Sequence, residues 1–482
     1  MTLDPKGAVR RSFLRGAVGA AAVLPVMQAL DKLANTGRAY AKTNVYGPLV
    51  PTPDQRDGVS RIALPEGFSY RSFSWAGETM NDGARVPLAH DGMGVFNDDA
   101  VGRFRLVRNH EDRNGPGAGS TAPSPNGYDP LGGGGTTTLV FNPYTKQLER
   151  HFRSLTGTTV NCAGGQTPWG SWITREETNS GLPSGWTKQH GFCFEVPAGA
   201  NGPVAAVPLT AMGRFAHEAV GVDPNTGYVY ETEDNGNNSG LYRFKPLIPG
   251  VLAAGGSLEM LAVAGTPQAN LFGAGTVGLA LPATWVPIAN PSPAGTSSTA
   301  VFSQGRVLGG AAFARLEGIW WGEQEGAMYF TATSGGAAGC GQVWEYRPQG
   351  ENGVLTLIYE SPNEDVLDAP DNICVSPSGA LLICEDGGGE QYLRGVTLDG
   401  GIFDFALNVQ NGYEWAGACF GQTDPAWNGR FRGKNHPLGS PEERTFLFVN
   451  RQGSTGGANP PSAGNEGMTF AIWGDWKRGS FL

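Results

Sequence analysis

The stretch GYVYETEDNGNNSGLYRFK, residues 227–245, decides how the rest of the chain is read. β-Branched and aromatic residues run from Val229 into the acids Glu231, Glu233 and Asp234, and an Asn/Gly-rich loop then reverses the chain into Leu241–Phe244. Such residues suit a pleated, half-buried surface, and the loop supplies the turn. Asp223-Pro-Asn-Thr-Gly227 is a further turn signal just upstream, so the segment predicts the middle of an antiparallel meander.

The pattern recurs along the chain. LVRNHED (106–112) precedes TTTLVFN (136–142), and WITREE (172–177) precedes HGFCFEV (190–196). YFTAT (329–333) precedes QVWEYR (342–347), and LLICED (381–386) precedes YLRGVTL (392–398). LFVNRQ (447–452) precedes MTFAIW (468–473). With the opening stretch this makes one meander per unit, six units and little helix. The expected fold is all-β, a six-bladed β-propeller; a pair of β-sandwiches is the structural alternative. The Ala/Gly-rich stretch 249–300 lacks the periodic apolar content for a core of its own and reads as an insertion between blades.

A second series lies just ahead of each hairpin, where the innermost strand would begin: AHDGMGVF (Asp91), TPWGSWI, FAHEAVGV (Glu218), ARLEGIWW (Glu317), APDNICVS (Asp371) and YEWAGACF (Glu414). Like positions of successive blades converge on a central channel, so these carboxylates are expected to meet. Unpaired, they would repel one another and hold each other's pKa up; multivalent cations in the channel would remove that penalty. Any one acid alone reads more readily as a solvated strand end than as a ligand, but the recurrence favours a metal-lined channel.

NCAGGQTPWGSWITREE (161–177) adds a thiol to this set. Gly164 and Gly165 permit close backbone approach, and Cys162 lies just ahead of an inner strand, within reach of the channel. Thiolate suits iron or zinc and carboxylate suits calcium or ferric iron, whereas a buried inert cysteine is the plainer alternative.

The bulk properties bound the rest. Charged residues are 16%, Gly is 74, Pro is 34 and the formal net charge is -10. That balance argues against nucleic acid, which needs a basic face, and suits the holding of cations. Arg10 and Arg11, followed by Ser12-Phe13-Leu14 and an apolar run from Ala17 to Leu30, predict a twin-arginine signal peptide over residues 1–41 and a mature domain over 42–482. The expected location is periplasmic or secreted, with the export machinery as a partner. No later segment is apolar enough for a membrane span. Cys374 and Cys384 flank a turn but should not face each other across it. No nucleophilic-serine elbow and no P-loop occurs.

NCAGGQTPWG, TREE, GRFAHE, FARLEG, ICEDG, WAGACF, LFVN and TFAIWG, in this order, resemble the PhoX family of alkaline phosphatases. The resemblance implies a six-bladed propeller that hydrolyses phosphomonoesters outside the cytoplasm, with two ferric ions and two or three calcium ions in the central channel. It makes Cys162, Glu218 and Glu317 metal ligands, with one of Glu176 and Glu177 and one of Glu385 and Asp386. Arg315 becomes the phosphate clamp. A calcium-dependent lactonase or a non-catalytic binding propeller are the competing readings. Thr333 and Gln452 depart from the acidic pattern.

Overall fold

The computed structural model describes residues 45–98, 102–423 and 440–482, excepting the side chains of residues 441 and 442. The predicted signal peptide therefore lies outside the described residues. Those described are all-β with almost no helix, α-helix being confined to Phe302–Val307 and Pro441–Arg444. No helix among them is long and apolar enough to cross a membrane.

Every sheet pairing is antiparallel and follows chain order with few exceptions. His90–Asp98, Arg103–His110, Gly134–Asn142 and Gln147–Thr158 form one sheet, and Asn161–Gln166, Ser171–Glu176 and Cys193–Pro197 the next. Two four-stranded meanders, His217–Val222 to Gly256–Val263 and Leu316–Gly322 to Asn352–Glu360, are joined into one nine-stranded sheet by Ala280–Pro287. Pro370–Val375 opens a six-stranded sheet that also takes in Ser60–Pro65 and Leu49–Pro53. Trp415–Gln422, Thr445–Arg451 and Met468–Trp473 are completed by an early strand, Ser69–Phe73, through Thr469↔Phe73 to Trp473↔Ser69.

The stretch 249–300, expected as an insertion, thus carries two strands. Gly256–Val263 ends one meander, and Ala280–Pro287 bridges to the next. Leu258, Met260, Leu261 and Val263 pack into the neighbouring cores, so tertiary burial fixes strands that a Gly-rich composition conceals.

The first strands of the meanders touch one another in turn, from His90–Asp98 through to Trp415–Gln422, which returns to His90–Asp98. Apolar side chains fill the spaces between neighbouring sheets. Phe104 and Phe141 meet Phe446 and Phe448 with ring centroids 5.2–5.8 Å apart. Full burial of such a ring stabilises by roughly 1.5–3 kcal/mol. All six cysteines are free, and Cys374 faces Leu382 across its hairpin, as the spacing predicts.

One irregularity repeats in every first strand and positions the site. Pairing shifts register between His90 and Met93, Asn161 and Gly164, His217 and Val220, Leu316 and Ile319, Pro370 and Ile373, and Ala416 and Cys419. A bulge of this kind inserts a residue and re-aims its side chain. The residues so placed are Asp91, Cys162, Glu218, Glu317, Asp371 and Gly417. In four cases the residue two positions earlier is left-handed: Ala89 (φ 49), Val160 (φ 48), Arg315 (φ 46) and Ala369 (φ 45). A positive φ is costly for any of these residues, and for β-branched Val160 most of all.

Candidate metal centre

The bulges deliver their side chains to a cavity of about 220 Å³ at one end of the ring of first strands. Cys162, Glu218, Glu317 and Asp371 line it directly from the bulges. Glu111, Glu177, Asp234, Asp386 and Gln452 reach it from the ends of second strands, Glu414 from the segment before Trp415, and Arg113, Arg315 and Thr455 from loops. Eight carboxyl groups and one thiol therefore face two guanidinium groups.

Ligand-type atoms lie close together. Within each of three overlapping trios, Asp91–Glu111–Cys162, Cys162–Glu177–Glu218 and Glu218–Glu317–Asp371, they are all within 4.8 Å. The Cys162 Sγ is 3.2 Å from Glu218 Oε2 and 3.8 Å from Asp91 Oδ2. Burial first, and then the charge of neighbouring acids, raises the pKa of Glu111, Glu218, Glu317, Asp371 and Glu414 well above the carboxylate range. Asp91 is pushed up to about 7, and the Cys162 thiol is raised by the same causes in the same order. Burial on this scale is expensive for negative charge unless cations offset it. The donor set fits them, since carboxylate oxygens suit calcium and ferric iron and a thiolate adds affinity for iron.

The two arginines hold different acids of the wall. Arg315 donates from Nε and Nη2 to Asp234 (2.9–3.1 Å) and from Nη2 to Glu317 Oε1 (2.9 Å). Its Nη1 makes no hydrogen bond among the described residues, and the side chain is 42% exposed. Arg113 pairs with Glu111 and with Glu177 Oε2 (2.6 Å). Gln452 Nε2 donates to Glu111 Oε2 (2.8 Å) and Asp91 Oδ2 (3.2 Å), so an amide links two acids where the sequence pattern lacks a third.

Of the residues singled out from the sequence, Cys162, Glu177, Glu218, Arg315, Glu317 and Asp386 come together at the cavity. Glu176 and Glu385 do not. Strand alternation turns them to the opposite face, where each pins its own sheet. Glu176 accepts from His190 Nδ1 (2.6 Å) and from the amides of Thr159 (3.1 Å), Gly191 (2.8 Å) and Phe192 (3.1 Å). Glu385 accepts from Arg394 Nε (2.7 Å) and from the amides of Asp368 (3.0 Å) and Tyr392 (3.1 Å). Burial opposes the charge of His190, but the Glu176 carboxylate outweighs it and raises the imidazole pKa.

The adjacent glutamates should therefore respond oppositely to substitution. Glu176→Ala takes from buried His190 its 2.6 Å carboxylate partner, leaving only Asp129 at 3.4 Å, and is expected to cost about 3–5 kcal/mol of stability while metal per folded chain is retained. Glu177→Ala should lose metal with a much smaller change in stability. Denaturant unfolding and elemental analysis on both variants check this; metal loss from Glu176→Ala alone would reverse the assignment of faces.

Asp371 and Glu414, expected from the sequence to meet in the channel, line the cavity as well, and Glu111 and Asp234 join them from the acidic strand ends LVRNHED and VYETED. Arg113 and Thr455 were missed altogether: both sit in loops, where no periodicity marks them. His217 is buried beside Glu218, accepts at Nδ1 from Arg175 and hydrogen-bonds Gly213 O (3.2 Å) through Nε2. It does not line the cavity.

Comparison with known proteins bears on this geometry. The sequence profile of a family described as "Alkaline phosphatase PhoX" matches residues 44–453. A solved structure of Pseudomonas fluorescens PhoX in complex with vanadate, a transition state analogue, is similar with a TM-score of 0.61 and 16% identity, covering 88% of this chain and 97% of that one. A luciferin-regenerating enzyme (TM-score 0.40, 11% identity, 80% and 92% covered) and a putative gluconolactonase (TM-score 0.40, 10% identity, 86% and 94% covered) are more distant. No curated protein matches the chain. Family and site together define a metal-dependent phosphatase, a phosphoric monoester hydrolase. The chain belongs to the alkaline phosphatase PhoX family.

Proposed function

We propose that this protein is a six-bladed β-propeller that hydrolyses phosphomonoesters at an iron–calcium cluster held in its central channel, and that it works outside the cytoplasm after twin-arginine export. The observation that carries the reading is the convergence of eight carboxyl groups and a buried thiol on one small cavity, in a chain of this family. Cys162, Glu218 and Glu317 would hold the ferric pair, with Glu177, Asp371, Asp386 and Glu414 among the ligands shared with calcium. When bound, these ions supply Lewis-acid stabilisation of the negative charge that develops on the phosphoryl oxygens.

The chain's own contribution is positioning and charge. Arg315 is held from one side by Asp234 and Glu317, which leaves the Nη1 edge of its planar fork to take a phosphate oxygen with little reorganisation. The left-handed backbone at Arg315 is anchored by its N–H to Gly236 O (2.8 Å) and by Thr333 N–H to its own carbonyl (2.9 Å), so the guanidinium stays beside Glu317. Arg113 balances Glu111 and Glu177 across the cavity.

The motif Arg10-Arg11 and the apolar run after it motivate the export proposal. One experiment tests both parts. Cells expressing the chain are fractionated, and p-nitrophenyl phosphate hydrolysis is assayed before and after EDTA. Activity in the exported fraction, lost on chelation and confined to the cytoplasm by Arg10→Lys with Arg11→Lys, is the expected result. Chelation-resistant turnover defeats the metal mechanism, and unchanged export of the double variant defeats the route.

A further inference from the structure

Near the end of the second strand of five of the meanders stands a side chain that serves the first strand of the next meander. Asn109 Nδ2 donates to Cys162 O (2.8 Å) and Ala163 O (2.7 Å). Arg175 donates to Ala219 O and His217 Nδ1, flanking Glu218 on both sides. Thr232 Oγ1 donates to Glu317 O, and Thr331 Oγ1 to Asp371 O (2.7 Å). Asn450 Nδ2 donates to Asp91 O (2.6 Å), which closes the circuit. Between the fifth and sixth meanders the tie comes from a first strand, Gly417 N–H donating to Asn372 Oδ1 (2.6 Å).

The targets share one property. Each lies in the bulge of a first strand, where the ladder is interrupted and backbone groups lose their regular partners. Buried backbone groups need partners, and here the preceding meander supplies them. Thr232 shows the coupling most directly: its Oγ1 accepts from Ala219 N–H (2.9 Å) in its own meander's bulge while donating to Glu317 O in the next meander. One hydroxyl therefore ties the backbone beside Glu218 to the backbone of Glu317. The chemistry of these residues varies (amide, guanidinium, hydroxyl), but the position on the second strand is constant.

We infer that this circuit is the device that orients the metal-holding groups: each blade sets the bulge, and hence the side-chain direction, of the cavity residue one blade further on. Asn109, Arg175, Thr232, Thr331 and Asn450 are positioning residues that never touch substrate. The inference rests on the metal-centre reading above.

Thr232→Val keeps the shape and removes the hydroxyl, whereas Thr232→Ser keeps the hydroxyl; Thr331→Val repeats the test at an independent bulge should the first variant fail to fold. On holoenzyme as isolated, three readouts are taken: metal release to EDTA, kcat and KM on p-nitrophenyl phosphate, and far-UV circular dichroism. Partners of metal ligands typically matter by 10–100-fold, so release should quicken by about tenfold or more in both valine variants, with kcat reduced, the fold retained and the serine variant close to wild type. Valine variants that hold metal and turn over like wild type overturn the inference, as does a serine variant that behaves like valine. A wild-type protein that binds no metal defeats the metal-centre reading itself, and the inference falls with it by a distinguishable result.

Discussion

Glu218→Gln is expected to empty the cavity of metal and to reduce phosphomonoester turnover by about 10³-fold or more, since charge stabilisation by the ions is worth several kcal/mol. Glu218 is the residue to choose because it is common to two of the three ligand trios, one through Cys162 and Glu177 and one through Glu317 and Asp371. Losing it breaks both. The substitution is isosteric, so no hole is opened, and it removes one of a group of mutually repelling buried carboxyls. Without metal that repulsion is a cost to folding; with metal it is the source of affinity. Melting in EDTA should therefore be unchanged or raised, and melting of the metal-loaded form lowered. Calorimetric melts with and without EDTA, beside elemental analysis, check the pair of signs. Full metal content and wild-type turnover in this variant would falsify the assignment of Glu218 as a ligand.

Arg315→Ala is the second large effect and has a different signature. The guanidinium is a cation and no ligand, so metal content should hold while kcat/KM falls by roughly 10²–10³-fold, or about 2.7–4 kcal/mol, the usual consequence of removing one preorganised donor from a charge-developing site. Arg315→Lys keeps the charge but loses the planar fork that spans Asp234 and Glu317, and should recover only part of the loss. Steady-state kinetics and inhibition by inorganic phosphate on both variants decide it. An alanine variant with unimpaired kinetics would leave Arg315 as a structural partner of Asp234.

Much of this was legible in the chain because sheets write their geometry with a period of two. The acids that recur two residues after Asn109, Thr232 and Cys384 mark the faces that meet, and the same alternation separates Glu177 from Glu176 and Asp386 from Glu385. That comparison between units was available in the sequence and would have settled both pairs. What the sequence did not disclose comes from irregular structure. A bulge has no compositional mark of its own, and Arg113 and Thr455 lie in loops whose course depends on contacts between distant segments, such as Arg113 N–H to Thr455 O (2.8 Å). The strands at 256–263 and 280–287 were hidden for another reason: neighbouring cores, more than local propensity, hold them extended.

The strand Ser69–Phe73 lies beside Met468–Trp473, so the last sheet is finished by nearly the first strand described. The centre obeys the same rule, since Gln452 reaches Asp91 and Glu111 from the far end of the chain. During synthesis, then, the early acids wait exposed until residues some 360 positions later have left the ribosome. Contacts of such long sequence separation form slowly, because a large loop must close before they contribute. A nascent chain therefore has no complete cavity to fill, and a truncation that spares every proposed iron ligand but removes Met468–Trp473 should still leave the ring open. Assembly of the cavity therefore follows synthesis of the last sheet.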